Sequence, residues 1–222
     1  MFMKTIAAFQ SRPALMVLFL GVFMAVFLLV VITATLVTFI LPETFASTAR
    51  VHLRAVSSGG VTSATPTQVA TQVELLQSQV VLNQVIDALN LNEVWARKIG
   101  AEGRLKTDET TELLKRLITV RPVRNTTLIE IRAFSEEPDE AAKLANTIAE
   151  VFREFTLSST GDIQAQVVDA AVPSLAPVRP NKPLNIGLAI VIGTLLGLVM
   201  GAGSVWIASL TGQGSRKKAV TP

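Results

Sequence analysis

The stretch LMVLFLGVFMAVFLLVVITATLVTFIL, Leu15 to Leu41, carries no charge and meets no proline until Pro42. A bilayer-spanning helix needs about 20 consecutive apolar residues, so this stretch is expected to be a transmembrane helix. A second uncharged apolar run extends from Leu184 to Leu210 and carries the same expectation. Everything that can fold as a domain lies between the two. The expected organisation is a tail over 1–14, a first span over 15–41, a domain over 42–183, a second span over 184–210 and a tail over 211–222. The apolar run of the first span exceeds the roughly 7–15 residues of a signal-peptide core, so an uncleaved anchor is expected.

The charges point to an orientation. All acidic residues fall in the central loop, whereas the flanks carry only Lys4, Arg12, Arg216, Lys217 and Lys218. Short basic flanks stay cytoplasmic, while long loops translocate largely regardless of charge. Both termini are therefore expected in the cytoplasm and the loop outside the plasma membrane. Arg216, Lys217 and Lys218 read as a topology anchor on anionic lipid or as a docking site for a cytoplasmic partner. The sequence pI of about 9.5 is then a topology signal and not a nucleic-acid footprint. There is no cysteine, no tyrosine and a single histidine, His52. That composition argues against a thiolate or histidine metal site, a disulfide framework and a serine-type triad.

Within the loop, Val51 and Leu53 alternate with Arg50, His52 and Arg54, the period-two pattern of a half-buried strand over Ala49–Val56. His52 lies on its polar face. Ser57, Ser58, Gly59 and Gly60 break it. Thr65-Pro66 opens a helix with Val69, Val73, Leu76 and Val80 at helical spacing. Ser78 is placed to cap a second helix with a stripe of Val81, Val85 and Leu89. Asn92 to Gly103, with Trp95, reads as a polar connection. Thr107, Asp108 and Glu109 start a short helix carrying Leu113, Leu114, Leu117 and Ile118, with acids at the positive end of its dipole.

Ile118–Arg124 and Thr127–Phe134 read as two strands joined at Asn125-Thr126, with Pro122 arguing for an edge position or a bulge in the first. Ser135 to Glu140 starts a helix running to about Leu157, with Leu144, Ile148, Val151, Phe152 and Phe155 toward the core. Its acids lack the spacing and glycine of an EF-hand loop. After Gly161, Ile163–Val172 reads as a last strand. Pro173, Pro177, Pro180 and Pro183 then suggest an extended strut over 173–183. The expected fold is α+β: a small extracytoplasmic domain of about four strands and three to four helices between two transmembrane helices. Gly193, Gly197 and Gly201 fall on one face of the second span, where small residues allow close helix packing. Their partner is either the first span or another copy of the chain.

The ordered combination resembles the polysaccharide co-polymerases, the Wzz-type chain-length determinants. Glu74 to Leu89 is similar to the family's early helix, and Leu117 to Phe155, with Thr127–Ile131 and Pro138–Asn146, to its strand, strand and helix stretch. Asp169-Ala170-Ala171-Val172-Pro173, continuing through Pro177, Pro180 and Pro183 into a glycine-rich span, is similar to its proline-rich segment. The extended helical hairpin of longer relatives has no room here, and neither GxxxxGK[ST] nor a tyrosine is present. The resemblance is thus to a short, kinase-less member.

The resemblance implies a non-enzymatic, homo-oligomeric scaffold in the bacterial plasma membrane. It would regulate the chain length or export of an exopolysaccharide, capsule or O-antigen. It implies a polysaccharide polymerase or export machinery as partner, with a separate cytoplasmic tyrosine kinase as a further one, and no cofactor. Arg121 and Arg124 are candidates for weak polar contact with the polymer, with solvated strand charges as the other reading. The alternative is an extracytoplasmic sensor or adaptor signalling through a cytoplasmic partner. An enzyme acting on lipid-linked sugars would need paired carboxylates, and the acids here sit at helix starts and on polar faces.

Overall fold

The computed structural model describes residues 13–57, 60–101, 103–159 and 162–218, with backbone alone at 57 and 211–218. Lys4, Arg12, Ser58, Gly59 and Gly161 lie outside the described residues, as do the side chains of Arg216, Lys217 and Lys218. The chain divides into two compact units, residues 43–179 and a unit formed by 1–42 with 180–222.

The second unit is a pair of helices, α1 (Pro13–Ile40) and α7 (Lys182–Lys218). Over Pro13–Ile40 and Lys182–Leu210 both are long and apolar enough to cross a membrane. At 1.5 Å per residue, α1 is about 40 Å long, more than the roughly 30 Å of a hydrocarbon core. Pro42 follows the end of α1, and Asn181 Oδ1 accepts from Leu184 N (3.2 Å) at the start of α7.

Residues 43–179 form an α+β domain around a five-stranded antiparallel sheet. Its strands are β1 (Phe45–Ser57), β2 (Gly60–Ser63), β3 (Ile118–Pro122), β4 (Leu128–Ser135) and β5 (Ile163–Asp169). Arg50, Val51 and His52 pair with β4 and β5 at once, so those strands flank β1 on opposite edges. Arg54 and Ala55 pair with both β5 and β2, so β2 continues the edge that β4 leaves. Among the described residues β3 pairs with β4 alone and stands at the sheet edge, one of the two placements its proline suggests. β4 and β5 run parallel to each other with β1 between them, a split βαβ arrangement.

The crossover is α6 (Pro138–Ser158). It lies over the sheet through Ala141, Leu144, Ala145, Ile148, Ala149 and Phe152, all buried. Four alanines on that helix, Ala141, Ala142, Ala145 and Ala149, are buried and keep its sheet-facing side slim. Before it come α2 (Pro66–Leu76), α3 (Gln79–Leu89), α4 (Leu91–Lys98) and α5 (Thr107–Leu117). Thr65 caps α2 with a full capping box, its hydroxyl accepting from Gln68 N while the Gln68 side chain takes the Thr65 N–H. Alternation on β4 puts Ile129, Ile131 and Ala133 in the core, beside Val51 and Leu53 of β1.

The domain holds five strands and five helices among its described residues, more than expected. The added strand is β2, too short for periodicity. The added helix is α4, which replaces the expected polar connection: Leu91, Trp95 and Ala96 are buried along it. It follows α3 directly because Asn90 takes the left-handed conformation (φ 51°) that turns one helix into the next. β1 starts at Phe45, earlier than expected. Val80 is exposed and not in the first stripe, because the chain breaks between α2 and α3 and the helical phase is lost. Ser78 stands at the N-cap of α3 but makes no side-chain capping bond. Leu113 is exposed in part, and Thr110 and Thr111 join Leu114 at the buried positions of α5.

Candidate functional site

Gly193, Gly197 and Gly201 meet the first helix of the same chain. A Cβ at Gly193 would lie 3.3 Å from Phe27 Cδ2, at Gly197 2.8 Å from Phe23 Cδ2, and at Gly201 2.9 Å from Phe19 Cδ2. Each step of four along α7 matches a step of four backward along α1, so the helices are antiparallel in register. The three rings stack on one another, with centroids 6.2 Å (Phe19–Phe23) and 6.0 Å (Phe23–Phe27) apart. The glycine stripe is therefore occupied within the chain. Farther along the seam, Asn185 Nδ2 donates to Thr38 Oγ1 (3.4 Å) and Lys182 Nζ lies 5.0 Å from the Phe39 ring centre.

The proline-rich segment, expected as an extended strut, is fastened to the domain as a strap over its first part. Asn146 of α6 holds Ala171 by both backbone groups, accepting from its N–H (2.6 Å) and donating to its carbonyl (2.9 Å). Ser47 Oγ donates to the Val172 carbonyl (2.9 Å). At its far end, Thr44 N donates to the Arg179 carbonyl (2.9 Å), and Val178 N donates to the Thr44 carbonyl (2.8 Å). Pro173 and Pro177 lie in this strap. Pro180 and Pro183 belong to the helical unit, with Pro183 in the first turn of α7, where a missing N–H costs nothing.

A polar knot joins α4 to the start of α6. Glu140 accepts from Trp95 Nε1 (3.1 Å), Lys98 Nζ (2.8 Å) and the Ser135 hydroxyl. Burial alone would raise the Glu140 pKa, but the hydrogen bonds from Lys98, Ser135 and Trp95 outweigh it and hold the carboxyl below its ordinary range. On Lys98, burial acts downward, but Glu140 and Glu137 together raise the ammonium pKa. Acids read as helix starters thus include one that also locks two helices. Among the described residues, no three His, Asp or Glu side chains gather as a metal site.

The sheet face away from α6 is polar and basic. It carries Arg50, His52 and Arg54 from β1, Arg121 from β3, Glu130 and Arg132 from β4, and Gln164 and Gln166 from β5, at the exposed or half-exposed alternate positions, with Glu130 in register with both Arg50 and Arg121. Arg50 pairs with Asp169 (3.4 Å) and Arg54 Nε donates to His52 Nδ1 (3.4 Å). At one end of this face, a groove of about 800 Å³ is lined by His52, Ser63, Arg124, Asn125, Thr126 and Thr127, among others. Its lip is the β3–β4 turn, where Asn125 is left-handed (φ 58°) and Thr126 Oγ1 donates to the Val123 carbonyl (2.9 Å). Arg124 lines this groove, whereas Arg121 stands on the open face. At the opposite end, the guanidinium carbons of Arg132 and Arg179 lie 5.4 and 5.5 Å from the centre of the Phe134 ring.

No protein-family model matches the chain, and no curated protein matches it.

Proposed function

We propose that the chain is a non-enzymatic membrane scaffold of polysaccharide biosynthesis, similar to the short co-polymerases. In this reading α1 and α7 anchor it in a bacterial plasma membrane, both termini are cytoplasmic, and the α+β domain faces outward. Copies assemble beside a polymerase or export complex and set polymer length or promote export. The antiparallel Phe–Gly seam is the observation that supports this most. Two helices packed antiparallel return the chain to the side it left, and basic flanks hold that side in the cytoplasm. The open, arginine-bearing sheet face supports weak, polar contact with a passing glycan.

The test is deletion of the gene in its host, with surface polysaccharide resolved by size on a gel. A shift in modal length or a loss of polymer is expected. An unchanged length distribution and yield would overturn the proposal. The mass of the full chain in nanodiscs is a second test, and a discrete large oligomer is expected. A monomer would favour the sensor or adaptor reading. Because the glycines are packed against α1, the contacts between copies in this reading lie on other surfaces.

A further inference from the structure

The groove at the end of the open sheet face is walled by side chains that the fold leaves unspent. It measures about 800 Å³, within the roughly 300–1,000 Å³ of small-molecule sites. The β3–β4 turn contributes Arg124, Asn125 and Thr127 to it, and the end of β2 contributes Ser63. None of these four side chains makes a hydrogen bond or an ion pair among the described residues. Thr126 differs: its hydroxyl is used by the turn itself, donating to the Val123 carbonyl (2.9 Å) and accepting from Leu128 N (3.2 Å).

The charge in the groove has one sign. No Asp or Glu lines it among the described residues, whereas Arg124 and His52 do, and α2 begins at its margin with Pro66. The N-terminal end of a helix adds partial positive charge. The arginines of the adjoining face have local matches: Arg50 with Asp169, Arg54 with His52, Arg132 with the Phe134 ring, and Arg121 in register with Glu130. Arg124 has none, and its free fork of donors fits the two oxygens of a carboxylate. No aromatic ring lines the groove to stack on a sugar face, so recognition there falls to charge and hydrogen bonds.

We infer that this groove binds a carboxylate-bearing sugar residue, a uronate, of the polymer. This rests on the reading of the chain as a polysaccharide scaffold and narrows its polymer to an acidic one. Arg124 holds the carboxylate, and Ser63, Asn125 and Thr127 exchange hydrogen bonds with sugar hydroxyls. Arg124 and Asn125 are exposed, so water competes for each bond and affinity stays low, as a polymer that must move on requires. His52 belongs to both the groove and the sheet face, so a long chain leaves the groove across that face.

The test uses the full chain in phosphatidylcholine nanodiscs, titrated with trigalacturonate or its methyl ester and read by saturation-transfer NMR on the sugar protons. The ester keeps the rings and hydroxyls and removes the charge. Trigalacturonate should bind at about tenfold lower concentration than the ester, the scale of one charge-assisted hydrogen bond. Arg124→Gln should erase most of that difference. Arg116→Gln, at an exposed position on α5, should keep it. Asn125→Gly, which the left-handed backbone accepts (φ 58°), should weaken both ligands by a similar factor. Equal binding of the two ligands, binding of neither, or a difference unchanged in Arg124→Gln overturns the proposal. Acetate displacing trigalacturonate at comparable concentration would show a simple anion site and overturn the sugar as its ligand. Unchanged polymer length and yield on deletion of the gene would instead refute the scaffold reading, so the two failures are distinct.

Discussion

Gly197 and Phe23 approach so closely that a Cβ on the glycine would sit 2.8 Å from Cδ2 of the ring and 3.0 Å from the Phe23 carbonyl oxygen. A ring can rotate away, but a helix carbonyl can move only with its helix. Gly197→Leu should therefore part α1 from α7, at about 1–3 kcal/mol or more by overpacking. The chain has no cysteine, so Thr38→Cys with Asn185→Cys gives a clean cross-linking reporter. Gly197→Leu should reduce the disulfide yield. Gly187→Leu, where a Cβ meets nothing within 4 Å, should leave it unchanged.

Asn146 fastens the strap to α6 through two bonds to Ala171. Asn146→Ala leaves the buried Ala171 backbone unpaired and should cost about 1–3 kcal/mol. Hydrogen exchange should speed up at Ala171 and along the strap while the β1–β4 ladder stays protected. Equal exchange in both proteins would show that the strap is held by other contacts.

Glu140 makes stability depend on acid. Its folded pKa is lowered, so its contribution is complete above the ordinary glutamate value of about 4.3 and is lost as pH falls through the folded value. Lys98 has a raised pKa, so its contribution is complete below its ordinary value and is lost as pH rises past the folded one. Glu140→Gln should lower the melting temperature at neutral pH and flatten its decline in acid. The probe is Trp95 fluorescence in a Trp206→Phe background, since the chain has two tryptophans.

Thr156 guards the free edge of β5. Its hydroxyl accepts from Ala165 N (3.1 Å) and donates to the Arg153 carbonyl (2.9 Å). Thr156→Val keeps the shape but strands a buried N–H, at about 1–3 kcal/mol. Thr156→Ser should retain most of the stability. Chemical denaturation of the three proteins in one detergent would separate the hydroxyl from the methyl.

Much of this architecture is legible in the sequence, because long periodic segments declare themselves. The two apolar helices, the alternation of β4 and the proline start of α6 all appear where residue pattern alone sets structure. The seam was half legible. Gly193, Gly197 and Gly201 announce a close approach, and Phe19, Phe23 and Phe27 share the same spacing of four, yet only folding pairs the two ladders. Trp95 was misread because Asn90, Asn92 and Glu93 make its surroundings look polar, whereas the packing of α4 against its neighbours decides its burial. The fastening of the strap was not legible for a similar reason. Prolines signal extension, but Asn146 and Thr44, remote in sequence, decide that the extension is fastened. The Arg132–Phe134–Arg179 cluster joins residues from β4 and the strap, and no local pattern brings them together.

The bond between Thr44 and Arg179 has a further consequence. The α+β domain begins and ends at neighbouring points, so it is a cassette inserted between two helices. Domains whose ends meet can be exchanged or inserted with little disturbance to their host. Replacing residues 45–178 with another domain of adjacent termini should leave the Phe–Gly hairpin able to form. In evolutionary terms, helix pair and domain could then vary independently, with a two-residue clasp as the joint at which one is traded for another.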